Sequence, residues 1–505
     1  MKNSIKYFIL ILTLIAVSCD KGFDELNINK TAATTVNPVF ILNNGLINAS
    51  FVSATVFLEM GVVQQMVTPN SGVLTGANFN QDNRDATNQN WVRDYRSVIR
   101  YTTEVINATK TLPTRTNLLN MARILQSFAF MVLTDSYGDI PYKEAGVGYI
   151  NQITLPKYDT QQSIYTDIIK ELSEASTALD ATKTIETGDV LYGGDVAKWK
   201  KFGNSLLLRA GMRLVKIDAA LAQSTVQKAV AGGLMTSNSD NAFIKHDPNY
   251  TNGIGQMLNS TEAANFYLGK PFVDFLKASN DPRLKAIAVR YVGAKSGPEQ
   301  TAAKATTDPA VQIGMPFGYD NNSISGPVKT DGLATFYDYS QLDRTRMGKN
   351  TAPMFLVTFA QTSLLLAEAI QRGWATGSAA DAFKAGVKAH MEQCAAYDAA
   401  SAIPAAAIDA YIAANTYDAS KGIEQINNQY WIASFLNGPE AFANFRRSGF
   451  PKLSPNPFPG KAIKGDFIRR LTYPNSEISV NNANVKAAIA RQGPDDLDTR
   501  VWWDK

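Results

Sequence analysis

The sequence predicts a mostly α-helical protein, in which a tetratricopeptide-like scaffold of helix pairs carries an irregular, loop-rich insertion. Three observations predict this fold. Apolar residues recur at helical spacing in segments of about 20 residues that are joined by short connectors. The periodicity weakens between about 236 and 350, where Gly, Asn, Pro and Thr become frequent. The apolar content of 45% and the charged content of 19% are typical of a well-folded globular chain.

The first element is a leader. Lys2 and Lys6 precede an apolar run at 8–17. That run is about half the roughly 20 residues that a membrane-spanning helix needs. A basic start, a short apolar middle and small residues at the exit are typical of an export signal, here residues 1–18.

Cys19 follows the leader directly, as the cysteine does in a bacterial lipobox. We therefore predict that Cys19 carries lipid and becomes the mature N-terminus, with 19–37 as a polar tether. The alternative is an ordinary secretory signal with an incidental cysteine. The other cysteine, Cys394, would then have no disulfide partner, and its helical context predicts a core residue.

Residues 38–505 are predicted to form a single domain. Its helical segments are predicted at 38–67, 91–111, 117–136, 161–181, 195–217, 352–373, 377–396, 404–414 and 421–436. Beyond these segments the C-terminal part is predicted to be irregular.

The segment 68–90 is predicted to be a long polar loop, rich in Asn, Gln and Asp. Long loops inside compact domains are usually functional or disordered. Amide and carboxylate side chains suit a ligand rich in hydroxyl or peptide groups. The alternative is a solvated loop, after which Trp91 opens the next helix as a core residue.

An apolar helix is predicted to end in a rigid corner at Leu133–Ala145. Gly138 can adopt a positive φ and end the helix, and Pro141 cannot donate the hydrogen bond that would restart it. Asp135 and Asp139 lie four residues apart, which suits acid/base chemistry. Alternatively, they bind the backbone amides of their own turn.

Four arginines near the C-terminus and two on a central helix are interpreted as structural. Arg209 and Arg213 lie on one helix face, suited to pairing with a carboxylate such as Glu368. The others are predicted to cap helix C-termini or to fix loops. They are Arg446, Arg447, Arg469 and Arg470.

The sequence offers few residues for catalysis or metal binding. It has two histidines, and it lacks a His-Glu-x-x-His motif, a phosphate loop and a Gly-x-Ser-x-Gly elbow. We therefore predict no metal, no cofactor and no catalytic residue, although a glycosidase would need only two carboxylates. The net charge of +4, without a run of Lys or Arg, excludes an electrostatic case for nucleic acid.

Aromatic residues, 10% of the chain, are the best ligand candidates because their flat faces suit sugar rings or peptide side chains. We predict a ligand-binding face built from aromatic residues that are exposed on loops. The alternative for each is a core residue that fixes its loop. The candidates are Phe79, Trp91, Tyr250, Phe317, Tyr319, Tyr337 and Tyr339.

Seven segments, counting the lipobox, together resemble the SusD/RagB-like nutrient-binding lipoproteins of Bacteroidetes outer membranes. Departures from the family pattern include Ala16, where Leu is more usual in a lipobox, Gln361, where Glu is expected, and His390, where Ser is expected. The other six matching segments are 135–145, 199–213, 364–369, 429–435, 446–451 and 470–474.

This resemblance implies a lipid-anchored outer-membrane protein that faces the cell exterior and is not an enzyme. It would bind an oligosaccharide or peptide and deliver it to a SusC-like TonB-dependent transporter. Two other classes stay open at this point: a lipid-anchored glycan hydrolase that uses a carboxylate pair, and a purely structural scaffold.

Overall fold

The computed structural model describes residues 36–72, 76–260 and 262–505. The predicted signal peptide, Cys19 and nearly all of the predicted tether lie outside the described residues. Residues Pro38–Lys505 form one compact unit.

The unit is mostly helical, which confirms the predicted fold class. Its helices are α1 (Pro38–Asn48), α2 (Ser53–Val62), α3 (Arg84–Arg93), α4 (Arg100–Thr109), α5 (Thr116–Tyr137), α6 (Gly148–Asn151), α7 (Gln161–Ala178), α8 (Val196–Arg213), α9 (Ala219–Gly232), α10 (Gly253–Leu258), α11 (Lys270–Ala278), α12 (Arg283–Ile287), α13 (Ser325–Thr330), α14 (Phe359–Gln371), α15 (Ala379–Tyr397), α16 (Ala405–Ala414), α17 (Gly422–Ala433), α18 (Gly438–Ser448), α19 (Asn475–Val480) and α20 (Asn482–Gln492).

Short antiparallel ladders connect the loops. The strands are β1 (Met66–Val67), β2 (Ile140–Pro141), β3 (Tyr158–Asp159), β4 (Ala242–Ile244), β5 (Tyr267–Leu268), β6 (Ala288–Tyr291), β7 (Ala305–Thr306), β8 (Gln341–Leu342) and β9 (Met354–Val357). Their pairs are β1 with β5, β2 with β3, β4 with β9, and β6 with both β7 and β8.

The scaffold is a series of packed helix pairs. Helices α4, α5, α7, α8 and α9 each pack against the next, and α14 packs against α15 and α17. Each helix buries an apolar stripe, so stacking neighbours gives one continuous core. Among the described residues no single helix is long and apolar enough to cross a membrane; α1 and α2 pass that test only together, bent by 45°.

Two sequence-based boundaries are wrong. Helix α3 begins at Arg84 inside the predicted polar loop, because the Asn83 side chain accepts a hydrogen bond from the Ala86 amide and caps the helix. The C-terminal part is less irregular than predicted. Asn437 caps α18 in the same way, and Gly449 ends that helix with a φ of +74°.

The insertion lies against the scaffold through its own small core. Strand β5 pairs with β1 of the scaffold, and Gly269 bridges to Met315. A Cβ on residue 269 would lie 2.4 Å from the Gln64 carbonyl oxygen. The two backbones can approach this closely because residue 269 is glycine. The buried side chains of this second core are Val67, Tyr267, Met315, Phe317, Ile324, Leu333 and Tyr339.

Candidate functional site

The two carboxylates of the corner are structural. The Asp135 carboxylate, on a residue only 4% exposed, accepts hydrogen bonds from the Tyr165 hydroxyl and the Trp503 indole, and it lies 3.1 Å from Arg213 Nε. Asp139 accepts from the Gln161 amide at the start of α7 and pairs with Arg491 on α20 at 3.1 Å.

Neither interpretation of this pair from sequence holds. Both carboxylates are buried and bound to other side chains or to a distant backbone amide, so they are not accessible for acid/base chemistry. The partners described above are not the amides of their own turn. Helix α5 carries Asp135 into the interior, where burial would be costly unless charged and polar partners surrounded the carboxylate. Those partners come from helices far away in sequence, which the local pattern around the corner could not indicate.

Arg213 also links Asp135 to a second buried carboxylate, Glu440. Arg213 Nη2 lies 2.7 Å from Glu440 Oε2, and Arg209 Nη1 lies 3.4 Å from the same oxygen. The predicted partner Glu368 instead binds Arg447 at 2.7 Å and Arg372 at 2.8 Å. The two helix-face arginines therefore pair with carboxylates, as predicted, but with Asp135 and Glu440.

Three of the four C-terminal arginines behave as predicted, whereas Arg447 joins its helix to Glu368 of α14 and caps none of the described helices. Arg446 donates to the Asp135 carbonyl oxygen, 2.7 Å away in the last turn of α5, and so caps that helix. Arg470 pairs with Asp495 at 3.0 Å, and Arg469 pairs with Asp504.

Cys394 is a core residue, as predicted: it is buried, and burial raises the pKa of its thiol to about 12.

Four of the seven candidate rings are buried, so the expectation that they are exposed is wrong. Trp91 packs edge-on against Tyr137 with centroids 5.0 Å apart, and Phe79 packs on Phe458 at 4.4 Å. Phe317 and Tyr339 belong to the second core. Loops of this length are stabilised by burying their own apolar rings, which removes those rings from solvent.

The other three candidate rings lie in two places. Tyr319 is half-buried at the edge of the second core, and Tyr337 stacks on Phe336 with centroids 4.2 Å apart. Tyr250, 36% exposed, lies elsewhere: it stacks on His246, and its hydroxyl donates to the Ile47 carbonyl oxygen at 2.6 Å. The structure thus brings Tyr319, Phe317 and Tyr339 together and leaves Tyr250 apart.

We define the loop face as residues 68–72, 76–83, 262–268, 313–340 and 454–462. Side-chain amides connect its segments: Asn70 donates to Asn265 at 3.2 Å, and Gln81 donates to the Gly460 carbonyl oxygen at 3.0 Å. A Cβ on Gly318 would lie 2.5 Å from Pro457 Cγ, so the segment that carries Tyr319 touches 454–462.

Half-buried aromatic rings and partly accessible amides occur together on the loop face. Sequence reasoning missed Phe336 and Phe458; the prolines on both sides of Phe458 were the available signal of a fixed, surface-directed loop. Rings offer flat apolar surface and amides offer both donors and acceptors, which together suit a hydroxyl-rich ligand. The rings are Tyr319, Phe336, Tyr337 and Phe458, and the amides are Asn70, Gln81 and Asn265.

Among the described residues, no group of three or more His, Cys, Asp or Glu side chains could hold a metal ion.

Comparison with known proteins assigns the family. A family profile described as "Starch-binding associating with outer membrane" matches residues 29–474. The chain belongs to the SusD-like family. The resemblance to this family is thereby confirmed, and the lipobox at Cys19 lies outside the matched residues. No curated protein sequence matches the chain significantly.

Solved structures share this architecture over more than nine tenths of the chain. A chitin-binding protein is 30% identical with a TM-score of 0.82, and the match covers 93% of this chain and 100% of that one. A Bacteroidetes AC2a SusD-like protein is 27% identical with a TM-score of 0.80 over 93% and 100% of the two chains. A chitin-binding SusD homologue from Flavobacterium johnsoniae is 25% identical with a TM-score of 0.74 over 92% and 98%.

Proposed function

We propose that this SusD-like protein captures an oligosaccharide at the outer surface of the outer membrane. It then delivers the sugar to a SusC-like TonB-dependent transporter. The observation that carries the proposal is the 30% identity, over the full length of the solved chain, to a protein named for binding chitin. The ligand we propose is accordingly a chitin-type oligosaccharide, a chain of N-acetylglucosamine.

The loop face fits such a ligand. N-acetylglucosamine has apolar ring faces, hydroxyl groups and an amide. Stacked Phe336 and Tyr337 offer a ring surface, and Tyr319 and Phe458 offer another beside the Pro457 contact. Asn70 and Asn265 offer amide groups to the sugar's polar edge. We propose that the sugar leaves unaltered, since the carboxylates of the corner serve the fold.

Changing both Tyr319 and Tyr337 to Ala is expected to weaken chitotetraose binding at least tenfold. Each ring that packs on a sugar face contributes about 1 kcal/mol, and a loss of 1.4 kcal/mol is tenfold in the dissociation constant. Isothermal titration calorimetry of the lipid-free protein measures the effect, and chromatography of the recovered sugar checks that it stays intact.

Tyr149 provides the matched control, because this tyrosine is 98% exposed and lies on α6, outside the loop face. Tyr149→Ala should bind chitotetraose like the wild type. Equal affinity in the wild type and the double variant would contradict the proposed face, and cleavage of the sugar would contradict the proposed function.

Lipid attachment at Cys19 is the proposed anchor. Cys19→Ala is expected to move the protein from the membrane pellet to the soluble fraction, because acyl chains on this residue provide the membrane affinity. Fractionation of cells followed by immunoblotting measures the shift. A Cys394→Ala variant should stay in the pellet, and an unchanged distribution of the Cys19 variant would contradict the anchor.

A further inference from the structure

A second surface of the protein, distant in sequence from most of the loop face, is a basic groove of about 630 Å³. One wall is the continuous helical stretch from α3 to α4, and the other is formed by Asn48 and Val52, which flank the break between α1 and α2. The volume lies within the range of about 300–1,000 Å³ that is usual for small-ligand sites.

The helical wall presents residues at four-residue steps, namely 88–89, 92–93, 96–97 and 100–101. Four residues advance an α-helix by about 40° beyond a full turn, so this row would drift around a regular helix. The stretch Asp94–Ile99 is instead a π-helical turn. A π-helical turn contains more residues than an α-helical turn, so it offsets this drift and keeps the row on one side of the helix. Such turns occur frequently at functional sites.

Two arginines of this row have no carboxylate partner in the described part of the chain. Arg93 is neutralised, since it lies 2.6 Å from Asp94 and also donates to the Ser50 carbonyl oxygen. Arg96 and Arg100 are exposed and form no ion pair with any described residue, and Arg100 lies over the Tyr101 ring at 4.6 Å. No carboxylate is among the groove's described lining residues, so two like charges one turn apart oppose each other.

Polar and apolar groups complete the groove. Asn88, Gln89 and Asn48 offer side-chain amides, and the buried Asn88 Oδ1 accepts no hydrogen bond from the part of the chain that the structure describes. Val92 is 41% exposed and provides an apolar surface between the amides and the arginines.

We propose that this groove is a second saccharide site, selective for acidic oligosaccharides whose sugars carry carboxylate or sulfate groups. Guanidinium groups bind such oxyanions bidentately. The amides match sugar hydroxyls, and Val92 and Tyr101 match the apolar ring faces. The site is independent of the loop face and extends the protein's ligands beyond neutral glycans.

The test compares tetragalacturonate with its methyl ester, the same sugar without charge, by isothermal titration calorimetry in 50 mM NaCl. A chondroitin sulfate tetrasaccharide is the second acidic probe. At least one acidic probe is expected to bind tenfold or more tightly than the ester, and 500 mM NaCl is expected to weaken that binding several-fold. Equal affinity for the ester and both acidic probes, or no binding of either acidic probe, would overturn the proposal.

The variant Arg96→Gln/Arg100→Gln locates the site. It should lose at least tenfold in affinity for the acidic probe, whereas its affinity for chitotetraose and its melting temperature should match the wild type. Lys183→Gln/Lys285→Gln removes the same charge at two exposed positions away from the groove and should keep the acidic affinity. Loss of acidic binding in both double variants would mean only a net-charge effect and would also overturn the site.

Discussion

Replacing Arg213 with Met is expected to lower the free energy of unfolding by about 3–5 kcal/mol. The Arg213 side chain is 1% exposed and lies between Asp135 and Glu440, at 3.1 and 2.7 Å. Methionine would fill much of the space but leave two buried carboxylates short of positive charge, and removing one partner of such a group is costly. Because total stability is usually about 5–15 kcal/mol, chemical denaturation should show the loss clearly.

Two further variants separate charge from packing. Adding Glu440→Gln to the Arg213→Met variant removes one of the stranded charges and should recover part of the loss. Lys170→Met, at a lysine with a side chain 56% exposed, should leave the denaturation midpoint unchanged. A loss below about 1 kcal/mol for Arg213→Met would show that the network does not stabilise the fold.

Replacing Glu59 with Gln is expected to stabilise the protein at neutral pH. Glu59 is fully buried, and its Oε2 has no hydrogen-bond partner among the described residues. Burial raises the pKa of this carboxyl from 4.5 to about 8, against the opposing charge of Arg446. The Ser136 hydroxyl, 3.3 Å from Oε1, can equally donate to a glutamine oxygen.

The direction of this pH dependence follows from whether the folded or the unfolded state holds the Glu59 proton more tightly. Below a pH of about 4.5 the Glu59 carboxyl is neutral in both the folded and the unfolded state. As the pH rises to about 8, the unfolded chain releases this proton and the folded chain keeps it, so stability falls by about 1.4 kcal/mol per pH unit. The glutamine variant should gain about 3 kcal/mol at pH 7 but less than about 1 kcal/mol at pH 5.

Thermal unfolding of the wild type and the Glu59→Gln variant between pH 5 and 8 measures this gain. The difference in melting temperature should widen as the pH rises. Glu104→Gln, at an exposed position, serves as the control and should follow the wild type at every pH. A constant difference across the range would show that Glu59 does not titrate as its burial implies.

The sequence predicted the helical scaffold well because apolar periodicity reports directly which side of each helix is buried. It also held the signals that were missed. Asn437 and Gly449 mark the two ends of α18, and Asn83 marks the start of α3.

The site was harder to predict because burial of a loop side chain depends on distant partners. Trp91 packs against Tyr473, and Phe79 packs against Phe458, both far along the chain. Local composition cannot tell such a ring from an exposed one. The basic groove was missed for another reason: Arg96 and Arg100 look like ordinary surface residues until the structure shows that the described residues lining their groove include no carboxylate.

The bond from the Trp503 indole to Asp135 joins residues 368 positions apart. A polypeptide made from its N-terminus onward completes α5 long before residue 503 exists. Until then Asp135 can have Tyr165 and Arg213 as partners but not the Trp503 indole. A polypeptide that stops before residue 503 would therefore leave the Asp135 carboxylate, in the centre of the molecule, without its indole donor.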